Sequence, residues 1–184
     1  MHTVVAGLAP NSGLLGNTLK ENALVDQWTH YLESEIQALL HPIARFLRNV
    51  IPYHKPSDQL ARERLLRPLG VIEKHLSTRT YYVGERITLA DLTSAAVLAL
   101  GYETIIDKKI RDDHPHTLRH YNTIRGHPAL QDVWNPTNFV ETAKQWTPPP
   151  KAKDDKPKAP KAEKAPAAPK VHIITQAHRN NELP

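Results

Sequence analysis

The chain has 184 residues, 40% of them hydrophobic and 23% charged, enough for one domain with an appendage. It contains no cysteine, which excludes a disulfide framework, a thiolate metal site and a cysteine nucleophile. Its net charge of +5 is carried mainly by residues 147–170, with seven Lys against two Asp and one Glu, so the body is near neutral and offers no basic nucleic-acid face.

The opening MHTVVAGLAPNSG lacks a basic n-region, and Gly7, Pro10 and Asn11 interrupt it, so it does not read as a signal peptide. Residues 1–17 form an unpatterned lead-in in which little order is expected. A helix is predicted from Thr18, because Thr18-x-x-Glu21 is a capping box that satisfies end N–H groups. Leu24, Trp28, Tyr31, Leu32, Ile36, Leu39 and Leu40 then repeat at helical spacing along one apolar face. Pro42 is expected to kink or end that helix near His41, with Ile43, Phe46, Leu47 and Val50 resuming it. The two prolines of IPYHKPS, residues 51–57, mark a turn. A second helix follows over about 57–76, with Leu60, Leu65, Leu66, Leu69, Ile72 and Leu76 inward and a bend at Pro68, since an interior proline costs roughly 3 kcal/mol.

TRTYYVGER reads as a short extended connection. Thr88-Leu89-Ala90-Asp91 has the form of a helix start: Thr88 is placed as the N-cap, and the Asp91 carboxylate stands where it can bond back to the Thr88 N–H. Ile87 and Leu92 are placed as a hydrophobic staple, and the acid suits the positive end of the helix dipole. The run Ala95–Leu100 is the longest unbroken apolar stretch, fit for a buried central helix but far short of the ~20 residues of a membrane span. Pro115 and Pro128 suit first-turn positions of two further helices, with Leu118, Tyr121 and Ile124 inward in one and Leu130, Val133 and Trp134 in the other. No period-two strand pattern precedes residue 146. The expectation is an all-α domain over residues 18–146 with five or six helices, then a disordered Lys/Pro/Ala-rich linker and tail over 147–184. The final VHIITQAHRNNELP is too short to fold alone.

Chemistry-bearing patterns are sparse. His116 and His120 stand one turn apart with His114 nearby, but Thr117, Leu118 and Arg119 between them lack the glutamate of a metalloprotease motif, and solvent-facing histidines are expected rather than a metal site. No serine lies in Gly-x-Ser-x-Gly, and there is no Gly-rich phosphate loop. Asp112–Asp113 and Asp154–Asp155 read as solvated charges. Asp91 has no partner base or nucleophile near it in sequence. No catalytic, cofactor or metal residue is therefore assigned; Thr88, Asp91, Ile87, Leu92, Thr18 and Glu21 are structural.

GERITLAD, residues 84–91, resembles the capping motif of the helical C-terminal domain of glutathione transferases. With residues 16–28 (GNTLKENALVDQW), 51–56 (IPYHKP), 81–92 (YYVGERITLADL) and 107–123 (DKKIRDDHPHTLRHYNT), it resembles the gamma subunit of eukaryotic translation elongation factor 1, in a fungal form. The resemblance covers about residues 14–170 and implies a glutathione transferase C-terminal-like bundle followed by that family's linker. It also implies a non-catalytic scaffold in the elongation factor 1B complex, anchoring nucleotide-exchange subunits and contacting aminoacyl-tRNA synthetases, in the cytoplasm. Family members carry an N-terminal thioredoxin-like domain that supplies most of a glutathione site, and a separate domain after the linker. Neither is expected in this sequence, and glutathione chemistry and a cofactor are not expected either. Ile110 and His120 stand where the family often has Trp. A glutathione transferase remnant and a transferase-like module of a tRNA-synthetase assembly are the rival readings. A homodimer and weak non-specific nucleic-acid contact by the tail are compatible with the pattern.

Overall fold

In the computed structural model, which describes residues 6–8, 10–130, 132 and 136–149, the first helix, α1, spans Leu19–Tyr31. The Thr18 hydroxyl accepts the Glu21 N–H at 3.1 Å. The returning carboxylate of Glu21 takes the N–H of Asn17 at 2.7 Å, one residue before Thr18. Described residues of the lead-in meet the helical body. Pro10–Ser12 form a 3-10 turn, Leu14 and Leu15 pack on the core, and the Leu14 carbonyl accepts the Leu89 N–H at 2.8 Å.

Pro42 does not end the helix. The rod continues from α1 through a π-helical stretch, Leu32–Gln37, into α2, Ala38–Leu47, which contains the proline. Leu40, Ile43 and Phe46 are buried on α2, and burial of each stabilises by about 1.5–3 kcal/mol, which together outweighs a proline penalty of about 3 kcal/mol. α2 stops in a Schellman turn: Asn49 takes the left-handed conformation (φ 55°), its N–H bonds to Phe46 O, and the Val50 N–H bonds to Arg45 O, both at 3.0 Å. Val50, expected inward, lies past that turn and is 61% exposed.

α3, Lys55–Leu76, is also continuous through its proline. Its inward stripe is Asp58, Ala61, Leu65, Pro68, Leu69, Ile72 and Leu76. Leu60 and Leu66, expected inward, are exposed: each lies one position off the buried stripe, beside Ala61 and Leu65. α4, Leu89–Tyr102, is the central helix, with Ala90, Ala95, Val97 and Leu98 buried among the others. Two short elements follow: α5, Lys108–Asp113, capped by the Asp107 carboxylate on Ile110 N and not foreseen from sequence, and α6, Pro115–Arg125. Pro128–Leu130 form a 3-10 turn; Val133 and Trp134 lie outside the described residues, as does 150–184.

No β-strand occurs among the described residues, and no helix there is long and apolar enough to cross a membrane. The core gathers Leu32, Ile36, Leu40, Ile43, Leu65, Leu69, Ile72, Leu98, Tyr121 and Ile124 around α4. Residues 136–149 form an extended strap along the α4–α5 turn, with Val140 N bonded to Tyr102 O at 3.0 Å and Lys144 N to Thr104 O at 2.8 Å.

Candidate functional site

Asp91 sits on the third residue of α4, wholly buried, and its two carboxylate oxygens accept four hydrogen bonds. Oδ2 takes the Thr88 N–H and the Thr88 hydroxyl, each at 2.8 Å. Oδ1 takes the Tyr82 N–H and His120 Nε2, each at 2.9 Å. One short acid thus ties together the start of α4, the extended stretch before it, and α6. Because the carboxylate only accepts, the imidazole donates through Nε2, and its other ring nitrogen, Nδ1, takes no part in the contact. That Nδ1 is buried without a hydrogen-bond partner.

His120 corrects the expectation of a solvent-facing histidine. Thr117, His120, Tyr121 and Ile124 form the inward stripe of α6, and His120 is fully buried while His116 is half-buried. The Asp91 partner that sequence proximity did not supply arrives from 29 residues away. Among the described residues no three acidic or histidine side chains converge as metal ligands. An Asp–His pair is two-thirds of a hydrolytic triad, but Ser94 does not complete it: its hydroxyl bonds to the Tyr82 phenol at 3.0 Å, and Ser94, Asp91 and His120 have no exposed surface. Burial pushes the Tyr82 hydroxyl far above its ordinary value, so it stays a neutral phenol. The cluster is a clamp with no route for a substrate.

Beside this clamp, Trp28 of α1 lies tilted against His75 at 4.1 Å and against Tyr82 at 5.1 Å. His75 Nε2 bonds to Tyr82 O at 3.0 Å. Burial holds the His75 pKa below its ordinary value and outweighs the opposing pull of that bond. Glu73, two residues before it, reaches across to α6 and accepts the N–H groups of His116 and Thr117 at 3.0 and 2.8 Å and the Thr117 hydroxyl at 2.7 Å. Desolvation raises the Glu73 pKa, but these three bonds prevail and hold it low.

The concave surface lies on the outer side of α4. Leu40, Leu89, Leu92, Val97 and Leu100 line an open groove of about 430 Å³, with Glu33, Gln37 and His41 along one edge. Ile87 and Leu92, the staple pair, share the wall of a neighbouring hollow with Leu14 and Leu130. Glu33 and Gln37 belong to the π-helical stretch; a π insertion has no composition signature, so the sequence did not show it.

The helical clamp and its central helix agree with a family profile: that of the glutathione S-transferase C-terminal domain matches residues 32–128. The chain belongs to that family. It is 32% identical over 178 residues to "Probable elongation factor 1-gamma 1" of Arabidopsis thaliana, covering 90% of this chain and 43% of that protein. It is 30% identical over 142 residues to elongation factor 1-gamma of Sus scrofa, covering 77% of this chain and 33% of that one. The chain therefore spans less than half the length of these relatives. Among solved structures, the GST-like domain of elongation factor 1-gamma from Saccharomyces cerevisiae superposes with a TM-score of 0.68 at 27% identity, over 76% of this chain and 64% of that one. Glutathione transferase F2 of Populus trichocarpa, at 20% identity and a TM-score of 0.61, covers 71% of this chain and 64% of its own; this likeness is one of fold alone.

Proposed function

We propose that this chain is a non-catalytic interaction subunit of translation elongation, serving in the elongation factor 1B complex as an anchor for nucleotide-exchange subunits. The observation that carries the reading is the similarity to elongation factor 1-gamma across 90% of the chain. The interior supports it. The Asp91–His120 pair is spent on holding the start of α4 and is sealed from solvent. The surface instead offers an apolar groove along α4, a form suited to packing against another domain or subunit. Aminoacyl-tRNA synthetases are further candidate partners, and the cytoplasm is the compartment in which this reading places the chain. Affinity purification of the tagged chain from a eukaryotic lysate tests it: exchange subunits are expected in stoichiometric amounts, and their absence from a lysate in which the native complex is intact would refute it.

The enzymatic alternative rests on structural neighbours that are glutathione transferases. It requires retention on immobilised glutathione and conjugation of an electrophile, and the scaffold reading expects neither.

A further inference from the structure

The corner between α2 and α3 holds the outer end of the strap in a way the core does not require. Asn49 owes its left-handed backbone to the Schellman turn, which frees its side chain. Its Oδ1 accepts the Trp146 indole N–H at 2.8 Å, and its Nδ2 lies 3.5 Å from Thr147 O. The Trp146 ring stacks on Tyr53 with centroids 4.4 Å apart and planes within 3°. Tyr53 is itself fixed: Phe46 meets it edge-on at 5.5 Å, and its hydroxyl donates to Asp58 Oδ2 at 3.2 Å. Asp58 Oδ1 accepts Arg62 Nε at 3.0 Å, and that guanidinium turns its Nη2 to Lys144 O at 2.9 Å. An indole, its N–H and a main-chain carbonyl two residues earlier are thus recognised by three pre-positioned groups.

The strap has a second seat of different character. Phe139 packs at 5.3 Å from Tyr102, and the buried guanidinium of Arg111 lies 5.3 Å over its ring and donates to Val140 O and Ile106 O. This inner seat is part of the core. The outer seat is peripheral, with Asn49, Lys144 and Thr147 exposed and Trp146 half-buried. Local opening starts where few buried contacts hold the backbone.

We propose that the α2–α3 corner is a docking site for an extended tryptophan-bearing segment, occupied in cis by residues 144–147 as a latch that opens without disturbing the inner seat. The site depends on Asn49, Tyr53 and Arg62, and the inference stands apart from the assignment to translation. Two amides report the two seats: Lys144 N–H, bonded to Thr104 O, and Val140 N–H, bonded to Tyr102 O. Hydrogen exchange followed by NMR on the full chain tests the latch. In the unaltered chain Lys144 exchanges before Val140. Asn49→Gly keeps the left-handed turn and deletes only the recognising amide, and Trp146→Ala deletes the occupant. Each is expected to speed Lys144 exchange at least ten-fold while Val140 stays within two-fold. Equal acceleration of both amides, or no change at Lys144 in either variant, overturns the latch. A synthetic peptide of residues 143–149, added at millimolar concentration to the Trp146→Ala chain, is expected to shift the Asn49 and Tyr53 resonances. The same peptide is expected to leave the Asn49→Gly, Trp146→Ala double variant unchanged. Absence of shifts in the single variant overturns the docking site.

Discussion

Replacing Asp91 by Asn keeps size and shape but changes the hydrogen-bonding arithmetic of the clamp. The carboxylate accepts four donors, two of them the backbone N–H groups of Thr88 and Tyr82 on opposite oxygens. An amide has one accepting oxygen. The Thr88 hydroxyl can rotate and His120 can switch tautomer, but a backbone N–H can do neither. Whichever way the substituted amide flips, one buried N–H faces its NH₂ group. An orphaned buried donor costs about 1–3 kcal/mol, and hydrogen bonds to a charged acceptor exceed neutral ones by about 1 kcal/mol. The expected loss is about 3 kcal/mol from a domain whose total stability is of order 5–15 kcal/mol. Urea unfolding followed by far-UV circular dichroism measures it, and a thermal midpoint lower by about 12 °C should accompany it. His120→Phe, which leaves three of the four donors in place, is expected to cost less than Asp91→Asn. A loss below about 0.5 kcal/mol for Asp91→Asn, or the reverse ranking, would refute the claim that the carboxylate organises the three elements.

The depressed pKa of His75 gives a pH dependence with a definite sign. The unfolded chain binds a proton at the ordinary value near 6.5 while the folded chain resists it, so this contribution is complete above about pH 6.5 and is lost as the pH falls below it. Urea midpoints at pH 7.5 and 5.5 should differ, and His75→Gln should shrink the difference. Glu73, also held low, adds a second loss at more acidic pH, below about 4.5; in Glu73→Gln this acid limb should flatten. Two helical glycines should respond in opposite directions. A Cβ on Gly101 would lie 2.5 Å from Ile106 Cδ1 inside the core, so Gly101→Ala is expected to destabilise by about 1–3 kcal/mol. A Cβ on Gly70 meets nothing within 4 Å, so Gly70→Ala should stabilise by about 0.5–1 kcal/mol; both are read from urea midpoints.

Local rules carried the fold where the residues that decide an element lie within it. Thr88 and Asp91 are three apart, and their bond follows from spacing; Pro115 stands at the first turn of α6 as its missing N–H allows. Those rules failed where a distant residue decides. Pro42 read as a kink or an end because its cost is local, whereas the burial that keeps the helix going comes from contacts with other helices. His120 read as solvent-facing because its acceptor lies on another helix. Leu60 and Leu66 read as core because periodicity fixes a face only to within a residue or two. The strap went unread since it has no period, although Trp146 next to a polar, proline-rich stretch was a visible hint. Glu33 and Gln37, which line the groove, lie in the π-helical stretch, a winding that no residue there announces.

The cap on α6 bears on the order in which the chain assembles. No side chain adjacent to α6 caps its first turn; His114 makes no such bond, and Glu73 supplies it from 43 residues upstream. A helix of eleven residues without a local cap is a poor nucleus on its own. Its start becomes stable only after α3 has docked and the long intervening loop has closed, a step whose entropy must be met first. Thr18, by contrast, gives α1 a start capped from within its own stretch. The bundle thus contains early and late members, and its last helix is handed its first turn by an older one.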